Sequence, residues 1–317
     1  APVDQPYGGA RTRYCPAGNK YAHFSQTVTA LAPAIGVEAA KARLYDEVRQ
    51  NFDAFMAARP ADKPFCYWWG PTNTHRKWQQ GSGKALWGIE PDSLKGRLPA
   101  FLPDVHEIRE DVADYLGECQ AVDAGLGVLL ARLEELGELD RTLIVVTGDH
   151  GIPGFPRAKC NLYDLGCEVA LAMRWPGQIP PGLVVSDMVN LMDLTPTFLE
   201  AGGVTSPPAM PGRSLVPVIT ATGSGQIDPA RTFVVTGRER HVAAAREGHL
   251  PYPQRAIRTA DYLYIHNFEP DRWPMGDPRG LDDSTTVPPA YELLANDTFA
   301  AYPDLDASPS KAWMIHH

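Results

Sequence analysis

No stretch of the 317 residues approaches the eighteen or so consecutive apolar residues that a membrane-crossing helix needs. Long blocks of like charge are missing too: 29 Lys plus Arg stand against 38 Asp plus Glu, for a net charge of −9 at pH 7. That balance excludes a dedicated nucleic-acid binder, and any anionic substrate must be held by a local positive cluster. Cysteine is scarce, with five residues (Cys15, Cys66, Cys119, Cys160 and Cys167) in an odd, widely spaced set that lacks a CxxC pair. A structural zinc site and a disulfide framework are thereby excluded, and one or two bridges are the most that could form. There is no HExxH, GxSxG or GxGxxG. Gly81-Ser82-Gly83-Lys84 lacks the upstream Gly and the following Ser or Thr of a phosphate-binding loop, so nucleotide binding has no support. The sequence opens at Ala1 with neither an initiator Met nor a charged-then-apolar leader, which reads as a processed chain or a piece of a longer one.

What is present is ordinary in bulk and loop-rich in detail. Apolar residues make up 44% and charged residues 21%, while 28 glycines and 30 prolines imply many turns over a regular scaffold. Ala40, Leu44, Val48, Phe52, Phe55 and Met56 recur at helical spacing, which predicts an amphipathic helix over 37–59. Phe65 to Trp69 reads as a buried strand, and 81–103 as an irregular excursion. A long helix follows, its stripe running Ile108, Val112, Tyr115, Leu116, Cys119, Val122, Leu126, Leu129, Leu130 and Leu133, with Gly137 placed to end it. Leu143 to Thr147 then reads as a central strand of a parallel sheet, Val169 to Arg174 as a second strand, and Thr195-Pro196 as the start of a helix closed by Gly202-Gly203. Beyond 221–225 the pattern turns to short strands at 232–236, 254–259 and 261–266, which places a domain boundary between 1–222 and a small α+β unit at 223–317.

Three places carry candidate chemistry. Thr147-Gly148-Asp149-His150-Gly151 closes the Leu143 strand, and its adjacent carboxylate and imidazole can present two ligands to one divalent metal. The same dipeptide also fits an Asp capping a turn beside an ordinary loop histidine. Arg157-Ala158-Lys159 follows closely and could grip a tetrahedral anion, or be a solvated basic loop. His75, just past the aromatic run, could give a proton to a leaving group near neutral pH, or be a plain surface histidine.

Taken in order, these segments resemble the type I sulfatases, with the heparan N-sulfatase branch looking closest. The carrying residues are Thr147 to Gly151, Gly151-Ile152-Pro153 through Lys159-Cys160-Asn161-Leu162-Tyr163, Arg174-Trp175-Pro176-Gly177, and Asp193-Leu194-Thr195-Pro196-Thr197. Tyr252 to Arg258 and Tyr262 to Asn267 extend the likeness toward the C-terminus. The resemblance implies an alkaline-phosphatase-like α/β fold, with a large mixed, mostly parallel sheet between helices and a small C-terminal α+β domain. It implies one divalent metal, calcium in that family, and a formylglycine made from cysteine. By position, Asp149 and His150 resemble metal ligands, Lys159 the sulfate-binding cation with a catalytic part, and His75 the active-site histidine on the leaving-group side. His150 stands where this branch more often has Asn, and hard calcium prefers oxygen, so the metal's identity is less firmly implied than the site.

None of the five cysteines is followed by the family's C-x-P-S-R signature or its relatives, and the family's N-terminal aspartate pair and G-K-W-H segment are absent. The expectation is therefore the C-terminal two-thirds, roughly, of a sulfatase whose nucleophile lies upstream, inactive in the span given. The substrate implied is N-sulfoglucosamine or another sulfated sugar, such as a glycosaminoglycan end, with Arg240, His241 and Arg255 as candidate contacts to it. Family habit suggests periplasm, lysosome or export; oligomeric state stays open, a homodimer being one option. Two other readings stand beside this one: a phosphomonoester or phosphonate hydrolase of the same superfamily, and a non-catalytic domain that kept an anion pocket.

Overall fold

The computed structural model describes residues 15–60, 62–239 and 250–272, together with Ser310 and Trp313. They fall into two compact units that part between Gly137 and Glu138; Ser310 and Trp313 go with the first. This division differs from the 222/223 boundary read from the sequence, and the strands after Gly225 share a unit with those before it.

The first unit is helical. After a 3₁₀ turn at Lys20–His23 come α1 (Phe24–Ile35) and α2 (Val37–Ala58), joined at Gly36, whose φ of 84° lets the chain break and restart within one residue. Helix α2 buries Ala40, Leu44, Val48 and Phe52, as its 3.6-residue spacing predicts. The excursion expected over 81–103 contains a short helix, α3 (Ser82–Trp87), and a 3₁₀ turn at Pro91–Leu94. The run from Phe65 to Trp69 forms no strand, and Trp68 is 84% exposed. Its other rings pack locally instead: Tyr67 lies edge-on to Phe52 and Trp69 leans on Tyr21.

Helix α4 (His106–Glu135) is present as expected and buries Ile108, Leu129 and Leu133 of the expected apolar stripe, yet other residues make up the middle of its buried face. Asp111, Asp114, Gly117, Glu118, Ala121 and Gly125 are buried, while Val112, Leu116, Val122, Leu126 and Leu130 are only partly so. Small residues decide this face. A Cβ on Gly125 would stand 2.5 Å from the Tyr21 hydroxyl and 2.6 Å from the Trp69 ring, so close approach there needs glycine.

The second unit is built from short strands and loops. β1 (Ile144–Thr147) pairs with β2 (Leu171–Arg174), and the register Ile144↔Arg174 through Thr147↔Leu171 is antiparallel. This corrects the parallel pairing expected for β1. Between the two strands lies a loop with only the one-turn helix α5 (Asp164–Cys167), and without a crossover helix the chain returns in the opposite direction. Leu171 and Met173 face a core of Leu215, Val218 and Ile219, to which α6 (Leu194–Ala201) and α7 (Val216–Ile219) contribute. The only parallel contact among the described residues is the isolated bridge Val185↔Gly225. A three-stranded antiparallel sheet follows in the order β3 (Phe233–Arg238), β4 (Gln254–Thr259), β5 (Leu263–Asn267), close to the predicted spans. None of the five cysteines is disulfide-bonded.

Candidate active site at the end of strand β1

Strand β1 delivers Gly148, Asp149 and His150 to its carboxyl end, and the loop to β2 folds back over it. That loop closes on glycine. Gly151 N–H donates to the Gly166 carbonyl at 3.0 Å, and a Cβ on Gly151 would meet the Leu165 carbonyl oxygen at 1.7 Å. Phe155, Ala158 and Leu162 fill its interior, so the loop has a small core of its own.

Asp149 and His150 come together as the sequence predicts. The Asp149 side chain is 88% exposed, and its Oδ2 lies 3.4 Å from His150 Nε2. Asp149 Oδ1 accepts the His150 backbone N–H at 3.1 Å, while His150 Nδ1 lies 2.8 Å from the Gly151 carbonyl. A carbonyl can only accept, so Nδ1 carries a hydrogen, and Nε2 is the ring nitrogen set beside the carboxylate. Among the described residues no group of three or more His, Cys, Asp and Glu side chains is gathered as a metal would need, so this pair supplies at most part of a coordination shell.

Lys159 is half-buried in the same loop, its N–H bonded to the Ile152 carbonyl at 3.2 Å and its carbonyl accepting from Asn161 Nδ2 at 3.1 Å. It is flanked by left-handed residues, Cys160 directly and Arg157 two before it, with φ of 70° and 61°. The Arg157 guanidinium lies 5.4 Å from the Tyr163 ring centroid.

His75 belongs to the other unit. Its N–H donates to the Thr72 carbonyl at 3.0 Å, and Nδ1 is hydrogen-bonded to the Arg76 carbonyl. The next residue anchors this turn: Arg76 forms a bidentate pair with Asp111 at 2.7 and 2.8 Å and lies 3.9 Å over the Trp78 ring. Asn73 is buried and donates to the Tyr21 carbonyl at 2.8 Å.

Of the sugar-contact candidates, Arg255 on β4 pairs with Glu239, bonds the Gln254 carbonyl at 2.7 Å and lies 6.0 Å over the Phe268 ring. Arg240 and His241 lie outside the described residues. Arg258, which sequence reasoning missed as a site residue, and Arg238 are two strand arginines that reach the Lys159 loop. Arg238 Nη1 donates to the Cys160 carbonyl, and Arg258 forks onto Asp164 at 2.9 and 3.2 Å. The alternation of β3 and β4 was the available signal, since it fixes which arginines share a face with inward residues.

The Sulfatase family model matches residues 4–204, and the chain belongs to the sulfatase family. The model described as "N-sulphoglucosamine sulphohydrolase, C-terminal" matches residues 155–282. The chain is 29% identical over 251 residues to N-sulphoglucosamine sulphohydrolase of Homo sapiens, covering 70% of this chain and 44% of that protein. It is 29% identical over 221 residues to N-acetylglucosamine-6-O-sulfatase of Bacteroides thetaiotaomicron, covering 67% of this chain and 38% of the relative. The chain thus spans less than half the length of these two relatives. A solved structure of a protein in complex with its substrate D-glucosamine-2-N,6-O-disulfate superposes with a TM-score of 0.49 at 20% identity, covering 81% of this chain and 69% of that one.

Proposed function

We propose that this chain is part of a hydrolase that removes sulfate from a sulfated amino sugar, as an O-sulfate ester or an N-sulfo group. The observation that supports it best is the joint presentation of Asp149, His150 and Lys159 by β1 and one glycine-closed loop in a chain of the sulfatase family. The two relatives above carry names that point to N-sulfated and 6-O-sulfated glucosamines, which supports this substrate class.

When bound, a divalent cation, calcium by family resemblance, supplies charge neutralisation on the sulfuryl oxygens, and a formylglycine supplies the nucleophile. Asp149 and His150 fit such a cation through one carboxylate and one imidazole lone pair. Lys159 binds the sulfuryl oxygens as a compact cation whose position is fixed by its backbone bonds.

The test is sulfate release by the full-length protein from glucosamine N-sulfate, glucosamine 6-sulfate and an aryl sulfate, with a phosphonate monoester as the competing substrate. Sulfate release led by the amino sugars is expected. Asp149→Ala should lower kcat/KM by about a thousandfold and release the bound metal. Faster turnover of the phosphonate, or wild-type metal content in the variant, would overturn the reading.

A further inference from the structure

We infer that Arg258 on β4 is a positioning residue for Lys159, acting through Asp164 at the head of α5. The inference deepens the functional reading above and rests on it, since it takes Lys159 as the cation that meets the sulfuryl group.

The contact is built for geometry. Arg258 Nε meets Asp164 Oδ1 at 2.9 Å and Nη2 meets Oδ2 at 3.2 Å, the two parallel bonds that fix both distance and plane. Its remaining nitrogen, Nη1, donates to the carbonyls of Thr259 and Ala260. Every guanidinium nitrogen is therefore engaged, and Arg258 holds the loop instead of reaching for substrate. β4 is the central strand of its sheet, paired on both sides, so the arginine stands on a firm base. A second arginine works alongside it: Arg238 on β3 donates to the carbonyl of Cys160, the residue after Lys159.

The loop needs such holding. Cys160 has φ of 70° and Arg157 has φ of 61°, backbone conformations that side-chain-bearing residues keep only where their surroundings enforce them. Released from Asp164, the segment between Lys159 and α5 is free to relax toward extended backbone and carry the ammonium away from its place. The pair itself is partly exposed, so it adds little to the unit's overall stability and its effect is local.

The experiment compares wild type, Arg258→Ala, Arg258→Lys, Lys159→Ala and the double variant Arg258→Ala/Lys159→Ala in the full-length protein. It reads kcat and KM for a sulfated glucosamine, inhibition by inorganic sulfate, and amide hydrogen exchange over 157–164. Arg258→Ala should raise KM and the inhibition constant for sulfate about tenfold while kcat stays within about twofold. Arg258→Lys should recover only part, because an ammonium cannot fork. In the Lys159→Ala background the Arg258 change should add almost nothing, and exchange at 159–164 should quicken in Arg258→Ala. Full additivity, or unchanged exchange in that segment, overturns the proposal. Should no sulfate ester or N-sulfo sugar be turned over by wild type, the functional reading fails on its own, and the exchange rates still decide whether Arg258 positions the loop.

Discussion

Helix α4 of the first unit turns Asp111, Asp114 and Glu118 into the interior, whereas in the second unit Asp149 stands almost wholly in solvent at the end of β1. The two treatments of carboxylates go with different backbones. The first unit surrounds its acids with a helix packed through glycines and gives Asp111 a bidentate partner in Arg76 and a hydroxyl in Ser310 at 2.6 Å. The second keeps Asp149 and His150 bonded mainly to their own peptide groups, leaving side-chain atoms available to a ligand. Buried carboxylates here organise helices, and exposed ones on a rigid turn are what chemistry can use.

The contrast breaks most readily at the turn. Gly151→Ala would place a methyl 1.7 Å from the Leu165 carbonyl oxygen, in a loop that closes backbone to backbone and offers no flexible side chain to yield. The expected cost is about 4 kcal/mol or more, read as a fall in thermal midpoint with loss of sulfate release. A variant that melts like wild type would show that the loop is not rigid. Next in size is a place where the second unit treats charge as the first does: Arg231 meets Asp193 at 2.8 Å with both buried. Arg231→Met strands that carboxylate and should cost about 3–5 kcal/mol in chemical denaturation. A loss below about 1 kcal/mol would mean that the Arg213 and Asn190 N–H groups already satisfy Asp193 without it.

The elements were legible where one signal dominated. Helix α2 follows its apolar spacing, α6 begins beside Pro196 and ends at Gly202, and the three late strands lie close to their predicted spans. Asp149, His150 and Lys159 were legible because strand end, turn glycine and loop are contiguous in sequence. The buried face of α4 was not, because the pattern rewards large apolar residues while the packing there is set by how near Tyr21 and Trp69 come to Gly125. The direction of β1 was missed for a similar reason: a β-branched run signals burial but not which strand lies beside it. Arg258 escaped because its partner is far away in the chain, and a lone strand arginine reads as a solvated one.

Glu118 sharpens the comparison through pH. It is 2% exposed, and burial, reinforced by Asp114 and opposed by hydrogen bonds from Ser25 and Asn73, raises its carboxyl from 4.5 to about 7. Glu118 Oε2 and Asn73 Oδ1 are both buried acceptors without partners, as suits a carboxyl that keeps its proton and has one hydrogen to donate. The native state binds that proton more tightly than the unfolded chain, so the stabilisation is complete below 4.5 and is lost as pH rises toward and through 7. Glu118→Gln should therefore match wild type near pH 4.5 and exceed it by roughly 2–3 kcal/mol at pH 8. Parallel stability curves for the two proteins would assign the first unit's pH response to other groups, Asp114 first, whose carboxyl burial raises to about 6.

The smallest effect is expected where both units look alike, at exposed ion pairs. Arg255 and Glu239 have side chains 48% and 51% exposed, and water competes for both ends of the pair. Arg255→Ala should shift stability by less than about 1 kcal/mol, whereas Arg231→Met in the same unit costs several times more. The ratio sets the effect of burial against that of exposure, with part of the Arg231 loss due to its further contacts with Asp228 and the Arg213 and Ser214 carbonyls. If Arg255→Ala proved as damaging as Arg231→Met, the Phe268 ring under Arg255 would be the place to look, and packing of its aliphatic stem would replace charge as the cause.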